Sequence, residues 1–505
     1  MNRHLIRLVL LCIALALAAC GDDVIPSPQF DPASGSQLSA LQAVKIRFGE
    51  DMDPATLVLG EGMGTQATAT WSTTEYTNDT LTLSPPASGW VGQPGVTVQV
   101  SSHLGVPQAL LNARFEVVTR LSTFRAASVV IGQANFAEYR GILSASTLSS
   151  PEGNPAIGPD GQFFLTDTAN HRLLGFSQLP TTNNASADWV QGQPNFNTSN
   201  QGVGPLAFSR PTSVAIHGQA LAMADSSNSR VLIWNALPTT VGTPPDVVLG
   251  QPDLSSRSGA CGPAQLDNPK GVAFAPDGQL IVADSGNHRV LVWDSLPTSH
   301  GQPPDLVLGQ SDFSHCASND DDQDGVWNAS PTARTLDSPS SVWTDGTRLV
   351  ISDELNNRVL VWNTFPTSHF QPADIVLEQS GFTQSTRNDD NQDGTSDATP
   401  SARTLYNPVA VAGNGVQLAV SDFENNRVLI WNHMPTASFQ PADVVLGQSN
   451  FTNSQYDDTN QDGVMDPTPS AYTTSGPSGL LFHGNRLIVV QDAHGGNRVI
   501  VFKGL

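Results

Sequence analysis

Short runs of alternating apolar and polar residues fill the region that follows residue 26. They lie at residues 43–48, 81–83, 96–100 and 113–118, with turn-forming residues between them. Alternation with a period of two places one face of each strand in a core and the other in solvent. Several short strands at this spacing predict a small β-sandwich over residues 27–121.

From residue 125 onward the chain repeats one pattern six times. A short apolar strand ending in Gly-Gln, or Glu-Gln in the fifth copy, recurs at residues 129–133, 189–193, 247–251, 306–310, 375–379 and 444–448. A proline opens a second apolar strand, at Pro151, Pro211, Pro269, Pro339, Pro408 and Pro477. A third strand ends in Asp and a turn leads to an Arg that opens the fourth, the pairs being Asp167/Arg172, Asp225/Arg230, Asp284/Arg289, Asp353/Arg358, Asp422/Arg427 and Asp492/Arg498. Four strands per repeat make a propeller blade, so we predict a six-bladed β-propeller over residues 125–505.

The order of these markers indicates how the ring closes. The first Gly-Gln strand precedes the first complete set of three strands, and the last set runs to Leu505 with no Gly-Gln strand after it. Six sets and six Gly-Gln strands balance only if residues 128–133 complete the last blade. We therefore predict a mixed last blade, which leaves the ring without an open sheet edge.

Two resemblances sharpen the expected fold. Asp284-Ser-Gly-Asn-His-Arg-Val and Asp225-Ser-Ser-Asn-Ser-Arg-Val resemble the NHL repeat, and Phe48-Gly-Glu-Asp-Met-Asp-Pro resembles a turn of bacterial Ig-like domains. They imply an all-β fold, with a six-bladed NHL-like β-propeller preceded by a small Ig-like β-sandwich that acts as a spacer. We interpret the repeated Asp and Arg as structural partners joined by charge-assisted hydrogen bonds. As catalytic groups they would have to act six times over.

The amino end has the features of an export signal. Arg3 and Arg7 form a basic start, and an apolar run at residues 8–17 is about half as long as a membrane-spanning helix. Leu17-Ala18-Ala19-Cys20 follows and resembles the lipobox of bacterial lipoproteins. The alternative is a plain signal peptide followed by an incidental cysteine.

The lipobox resemblance implies where the protein resides. It predicts a signal peptide at residues 1–19, a lipid on Cys20 and a lipidated linker at residues 20–26, so that the lipid bilayer is a partner through Cys20. The location is then the bacterial cell envelope. By the sorting rules of such proteins Gly21 favours the outer membrane over the inner one, although the two aspartates after it leave the choice open.

Charge and cysteine content narrow the partners. Lys and Arg number 23 against 46 Asp and Glu, for a net charge of −23. A nucleic-acid partner requires a basic face, so this composition predicts none. Cys12 leaves with the signal and Cys20 carries lipid, so Cys261 and Cys316 remain. Each follows a Gly-Gln strand in successive repeats, and we predict a disulfide between them in an oxidising compartment; two unpaired cysteines are the alternative.

Three acidic loops are the candidate metal sites. Each matches D-x-[DN]-x-[DN]-G with a further oxygen at the ninth position, and the candidate ligands are Asp320, Asp322, Asp324 and Asn328; Asp389, Asn391, Asp393 and Asp397; and Asp458, Asn460, Asp462 and Asp466. Oxygens at alternate positions suit a hard cation, and the glycine permits a sharp turn. The loops resemble the DxDxDG calcium loops of extracellular proteins, although proline replaces the Glu that ends an EF-hand loop. They predict Ca²⁺ binding, with solvated turns as the alternative; no organic cofactor is indicated.

Two classes of function remain. NHL-type propellers often present loops to partners, which favours a non-catalytic binding or scaffold protein, monomeric, with an unidentified protein or envelope ligand. Six-bladed relatives also include lyases and lactonases with an axial metal, so an enzyme is the alternative. His171, His288, His300 and His369 occupy repeat-equivalent turn positions, and we interpret them as turn residues. A cluster of His, Asp or Glu on the ring axis would favour the enzyme.

Overall fold

The structure is a computed structural model and describes residues 27–34, 37–39, 42–60, 66–86, 90, 95–108, 110–139, 141–492 and 496–504. The predicted signal peptide at residues 1–19 and the predicted lipidated linker at residues 20–26, with Cys20, lie outside the described residues. Over the described ranges, no helix has the length and apolar character that a membrane crossing requires. The chain divides into two compact units, Met1–Val117 and Val118–Leu505.

Two antiparallel sheets build the amino-terminal region. Its strands are β1 (Gln29–Asp31), β2 (Gln37–Ser39), β3 (Val44–Arg47), β4 (Met52–Gly60), β5 (Thr68–Ser72), β6 (Thr80–Ser84), β7 (Gly95–Ser102), β8 (Leu111–Arg114) and β9 (Glu116–Val118). One sheet has the order β1-β3-β6-β5 and the other β4-β7-β8, while β2 pairs with β9. Ile46 and Leu81 of the first sheet share one core with Val98 of the second. This face-to-face packing is the β-sandwich that the alternating pattern predicted.

Six four-stranded antiparallel sheets build the second unit. The first three are β11 (Ala156–Ile157), β12 (Phe163–Asp167), β13 (Arg172–Phe176), β14 (Trp189–Gln191); β15 (Pro211–His217), β16 (Ala220–Asp225), β17 (Arg230–Trp234), β18 (Val247–Leu249); and β19 (Val272–Phe274), β20 (Leu280–Asp284), β21 (Arg289–Trp293), β22 (Leu306–Leu308). The others are β23 (Pro339–Thr344), β24 (Leu349–Asp353), β25 (Arg358–Trp362), β26 (Ile375–Leu377); β27 (Pro408–Gly413), β28 (Leu418–Asp422), β29 (Arg427–Trp431), β30 (Val444–Leu446); and β31 (Pro477–His483), β32 (Arg486–Gln491), β33 (Arg498–Lys503) with β10 (Val129–Ile131). Short 3₁₀ turns join the second and third strands at Thr168–Asn170, Ser226–Asn228, Ser285–Asn287 and Glu354–Asn356. The predicted all-β propeller is therefore confirmed, and each sheet is one blade.

The last blade is assembled from both ends of the unit. Strand β10 pairs antiparallel with β33, with Val129 opposite Val501 and Ile131 opposite Val499. The marker count predicted this mixed blade, and the strand pairing confirms it. Ring closure also joins the sixth blade to the first, because Leu480 N donates to Asn154 Oδ1 at 2.9 Å.

Sheet-on-sheet packing explains why the middle strands are apolar on both faces. Every residue of β20 and β21 is buried, because neighbouring blades cover both sides of the sheet. Val231 and Ile233 of the second blade lie in one core with Leu291 of the third. The first strands of successive blades also lie beside one another, so they surround the ring axis.

The repeated Asp and Arg form buried, hydrogen-bonded pairs, as the structural interpretation predicted. We call each pair a clasp. In the third blade Arg289 Nε donates to Asp284 Oδ2 at 2.8 Å, and both side chains are 0% exposed. The guanidinium also donates to the Phe313 carbonyl at 2.7 Å and to two carbonyls of the preceding loop. The same ion pair joins Arg172–Asp167, Arg230–Asp225, Arg358–Asp353 and Arg427–Asp422. The hydrogen bonds of one Arg thus connect its own strand to two loops.

The sixth copy departs from the sequence assignment. Asp492 was matched with Arg498, but strand pairing places Gln491 opposite Arg498, where the fifth blade has Asp422 opposite Arg427. Arg498 Nε donates to Gln491 Oε1 at 2.8 Å. The assignment of Asp492 was therefore wrong, because the residue opposite Arg498 is Gln491 and the last clasp uses its neutral amide. Asp492 stands one position beyond the clasp.

A ring of hydroxyl donors joins each blade to the next. Every motif proline carbonyl accepts a hydrogen bond from a Ser or Thr of the preceding blade. The bonds are Thr168 to Pro211, Ser226 to Pro269, Ser285 to Pro339, Ser352 to Pro408, Ser421 to Pro477 and Ser478 to Pro151. These six joints share a motif proline carbonyl as acceptor and fix the spacing of the six first strands around the axis.

In the fifth repeat Glu378 replaces the glycine of the Gly-Gln marker, and it adopts the positive φ that glycine has in the other five repeats. The other five copies have Gly there with φ between 82° and 92°, and Glu378 adopts φ 82°. An L-residue rarely takes this conformation. The Glu378 side chain turns inward, where one carboxylate oxygen accepts the N–H of Leu405. Burial raises the pKa of Glu378 well above its ordinary value.

Candidate functional site

A cavity of about 150 Å³ lies on the axis of the propeller. The residue that follows each motif proline lines it, so all six blades contribute: Glu152, Thr212, Lys270, Ser340, Val409 and Ser478. The remaining lining residues are Gly153, Glu354, Asn407, Phe423 and Asp492. Only the axis is shared by all six blades, so this cavity lies on the axis.

The first strands and the turns beyond the clasps position these side chains. In four blades the motif proline lies opposite the clasp residue: Pro211 opposite Asp225, Pro339 opposite Asp353, Pro408 opposite Asp422 and Pro477 opposite Gln491. The residues one step beyond therefore converge on the axis from two strands. Asp492 and Phe423 occupy this step in the sixth and fifth blades.

Two ion pairs engage most of the charged groups. Arg210 Nη2 lies 2.6 Å from Glu152 Oε1, and Lys270 Nζ lies 2.6 Å from Glu354 Oε2. Lys270 and Glu354 come from adjacent blades, the third and the fourth. Within the described part of the chain, no ion pair or side-chain hydrogen bond engages the carboxylate of Asp492. The cavity therefore contains three carboxylates, two of which already have a cation.

The carboxyl group of Asp492 has a raised pKa. Burial, together with the nearby Glu152 carboxylate, raises the pKa of Asp492 to about 7 although Arg210 opposes the shift. Burial also raises the pKa of Glu152, again against the influence of Arg210. Asp492 is thus poised to exchange a proton near neutral pH, which is a property of ligand-binding and acid–base sites.

The other walls combine hydroxyls already used in hydrogen bonds, the side-chain amide of Asn407 and apolar surface. Thr212 Oγ1 donates to the Lys270 carbonyl at 2.7 Å, and Ser340 Oγ donates to the Val409 carbonyl at 3.0 Å. The hydroxyl proton of Ser478 is likewise used in the ring of joints. Val409 and Phe423 of the fifth blade add an aliphatic and an aromatic surface. Among the described residues, the unengaged chemistry of the cavity is therefore the carboxylate of Asp492, the side-chain amide of Asn407 and the apolar surface of Val409 and Phe423.

Sequence reasoning did not find this site. It named none of Glu152, Arg210, Lys270, Glu354 and Asp492 as functional, and it asked only whether acidic groups or histidines meet on the axis. The usable signal was variation, because the residue after the motif proline is Glu, Thr, Lys, Ser, Val and Ser in the six copies, while the clasp residues hardly change.

The first acidic loop brings three predicted ligands together. Asp320, Asp322 and Asp324 each offer a carboxylate oxygen, and these atoms lie within 4.8 Å of one another. Asp320 is buried and accepts the N–H groups of Asp324 and Gly325 at 3.1 and 2.9 Å. The backbone of Asn328 donates to the Ser318 carbonyl at 3.2 Å. The loop thus folds around its first aspartate.

The second and third loops fold in the same way but use more of their oxygens internally. Asp389 and Asp458 each accept two backbone N–H groups from their own loops, at 2.8 and 3.1 Å. The amide oxygens of Asn391 and Asn460 accept the N–H of Asp393 and Asp462 at 2.9 and 3.0 Å, and the ninth-position carboxylates of Asp397 and Asp466 accept the N–H of Asp390 and Thr459 at 2.9 and 2.8 Å. These oxygens would have to exchange a backbone donor for a cation.

The two candidate cysteines lie together. Cys261 and Cys316 are joined by a disulfide with their Cα atoms 6.2 Å apart, and it bridges the loops that follow the outer strands of the second and third blades.

The four turn histidines are hydrogen-bonded within the scaffold, as the sequence interpretation predicted. Each uses Nδ1 to accept a backbone N–H. The pairs are His171 with Arg210, His288 with Ser338, His300 with Val248 and His369 with Val307, at 3.1–3.2 Å. None of the four lines the axial cavity.

Comparison with known proteins supports the repeat. The NHL repeat profile matches residues 266–293, which run through the third blade. A search of curated proteins finds no match.

Three solved structures are similar to this chain at low identity. A phosphatase candidate from Bacteroides thetaiotaomicron is 12% identical, with a TM-score of 0.41 over 95% of this chain and 96% of that one. An aldose sugar dehydrogenase from Streptomyces coelicolor is 14% identical, with a TM-score of 0.38 over 75% and 99%. Virginiamycin B lyase from Staphylococcus aureus is 12% identical, with a TM-score of 0.36 over 71% and 96%. These likenesses carry no activity over to this chain.

Proposed function

We propose that this chain is an envelope-anchored binding protein whose propeller holds a small ligand in the axial cavity. The observation that carries the proposal is the convergence of one variable side chain from each of six blades on a cavity in which the Asp492 carboxylate has no ion pair or side-chain hydrogen bond among the described residues. Asp492 is partly buried, and burial of a charge without a partner is costly, so a carboxylate that has none among the described residues is suited to meet one in a ligand.

Plugging the cavity tests the proposal. Val409→Trp should fill the axial space, and Val241→Trp, at a valine that is 48% exposed in a loop, is the matched control. A fragment set of amines, acids and neutral polar molecules would be screened by ligand-observed NMR against the lipid-free protein. We expect fragments that bind wild type and Val241→Trp but not Val409→Trp. No binding, or equal binding to all three proteins, would contradict an axial site.

The anchor is a separate part of the proposal. The apolar run and the small residues before Cys20 support a lipid on that cysteine, with an Ig-like sandwich as the spacer that follows. Cys20→Ala should release the protein from membranes into the soluble fraction. If the variant stays with the membrane, the lipid is not its anchor.

We also propose that the acidic loops bind calcium. The gathered carboxylates of Asp320, Asp322 and Asp324 support this, and the lack of a bidentate Glu suggests a dissociation constant on the order of 10⁻⁴–10⁻³ M. Calorimetry should show calcium binding in wild type and the loss of one site in Asp324→Ala. Chelation should speed hydrogen exchange at residues 320–328, 389–397 and 458–466 more than in the strands. No heat and unchanged exchange would make them solvated turns.

An enzyme is the second candidate, because a carboxyl with a pKa of about 7 beside Glu152 fits acid–base chemistry. An enzyme with a metal ion on the ring axis is supported less well. Among the described residues, the group of metal-ligand atoms that gathers is in the first acidic loop, not on the axis. A turnover assay on the ligands found in the fragment screen, with Asp492→Asn as the inactive variant, would distinguish the two functions.

A further inference from the structure

We infer that the axial cavity recognises a small organic cation, an ammonium group on a compact apolar body, with Asp492 as its counter-ion. This inference rests on the proposed axial ligand site and names the chemical class of its ligand.

Charge is the first argument. The cavity brings together the carboxylates of Glu152, Glu354 and Asp492, while Arg210 and Lys270 supply two cations. Each cation lies 2.6 Å from one of the glutamates. One negative group is left over, so a ligand with one positive charge completes the set and an anion would add repulsion.

The position of Asp492 is the second argument. In the first three blades, the residue one step beyond the clasp is Thr168, Ser226 or Ser285, and its hydroxyl joins that blade to the next. In the sixth blade that step is Asp492, and the joint to the first blade is made by Ser478 instead. The carboxylate is therefore released from both structural tasks of its repeat, the clasp and the joint.

The apolar wall is the third argument. Val409 and Phe423 face the same cavity, and an aromatic face attracts a cation while it also covers an apolar body. A cavity of about 150 Å³ in another protein accommodates benzene, so a ring-sized ligand fits this one. A bare metal ion fits less well, since hard cations take six or more oxygen ligands. In the described residues no axial group of metal-ligand atoms gathers as the first acidic loop does.

Protonation links binding to pH. Asp492 faces Glu152, which favours its protonated form, and Arg210, which favours its ionised form, with the Lys270–Glu354 pair across the cavity. With a pKa of about 7, roughly half of the Asp492 carboxyls carry a proton at pH 7. A cation needs the ionised form, so binding should displace that proton and strengthen as the pH rises from 6 to 8.

Three ligands of one shape test the inference on the lipid-free protein: benzylamine, benzyl alcohol and benzoate. Calorimetry in two buffers that differ in ionisation enthalpy should show that benzylamine binds with proton release and that the other two bind at least about tenfold more weakly. Asp492→Asn should weaken benzylamine about tenfold or more and abolish the proton release. Asp277→Asn, at an exposed aspartate in a turn, is the control that should change neither.

Phe423→Leu provides a second variant if Asp492→Asn folds poorly, and it should weaken benzylamine by about threefold to tenfold without changing proton release. Equal affinity for benzylamine and benzyl alcohol, tighter binding of benzoate, or full affinity in Asp492→Asn would each overturn the cation assignment. If Val409→Trp blocks the binding in those cases, the result would still support an axial ligand site. Failure of all three ligands, together with a fragment screen without axial hits, would overturn both.

Discussion

Replacing Arg289 by Met is expected to cost more stability than replacing Arg498 by Met. Both side chains are buried, and both donate from Nε at 2.8 Å to an oxygen on the neighbouring strand and further to backbone carbonyls. The acceptors differ, because Arg289 meets the carboxylate of Asp284 and Arg498 meets the neutral amide of Gln491. The two substitutions therefore remove similar hydrogen bonds but different charge interactions.

The size of the difference follows from the charge that is left behind. Loss of hydrogen bonds to buried partners costs about 1–3 kcal/mol of unfolding free energy, which is the expected effect of Arg498→Met. Arg289→Met also leaves Asp284 buried without its cation, and such a broken pair typically costs about 3–5 kcal/mol. Urea unfolding followed by tryptophan fluorescence measures both losses, and the buried Trp293 reports on the third blade itself.

Charge removal should rescue part of the loss. Asp284→Asn combined with Arg289→Met is expected to be more stable than Arg289→Met alone at pH 7, because no unpaired carboxylate remains. In Arg289→Met the unpaired Asp284 destabilises the native state above its unfolded pKa of about 3.9, so the loss should shrink as the pH falls towards 4. Equal losses for the two arginines, or a double variant no better than the single one, would refute the reasoning.

Three further predictions concern the scaffold. The disulfide between Cys261 and Cys316 closes a separation of 55 residues, and the double serine variant should lose about 2–4 kcal/mol; two free thiols by mass spectrometry without reductant would contradict the bond. Deletion of residues 128–133 should leave the last blade one strand short and lower the melting temperature, whereas an unchanged transition would argue against ring closure by β10. Because the pKa of Glu378 is raised in the folded state, wild type should lose stability relative to Glu378→Gln as the pH rises above about 4.5, and a difference independent of pH would show that the carboxyl is not buried as described.

The repeat allowed the fold to be predicted because the same physical demand recurs in each blade. A buried clasp needs Asp and Arg, and a strand covered on both faces needs apolar residues, so these positions vary little. Ring closure followed from counting, since one Gly-Gln strand was left over at the start. The register of the sixth blade did not follow, because Gln491 and Asp492 are adjacent acceptors and only the strand pairing shows which one meets Arg498.

The axial site could not be predicted from the sequence, because its residues differ from one repeat to the next. Glu152, Lys270 and Asp492 stand at repeat-equivalent steps but differ from their counterparts, and no local motif marks them. They meet only because the six first strands surround one axis. In contrast, the acidic loops were visible because all their candidate ligands lie within a few residues of one another.

The mixed blade has a consequence for the folding of the chain during its synthesis. Its strands β10 and β33 are made near the beginning and near the end of the propeller sequence, so a chain still leaving the ribosome or the export channel cannot close the circle. Glu152 and Asp492 lie on the two sides of that seam, in the first and the last blades to be synthesised. An interrupted chain would therefore lack the axial cavity altogether, however well its completed blades had folded. We expect the ligand proposed for this cavity to bind only after the final blade has been synthesised, so nascent and truncated chains would not compete for it.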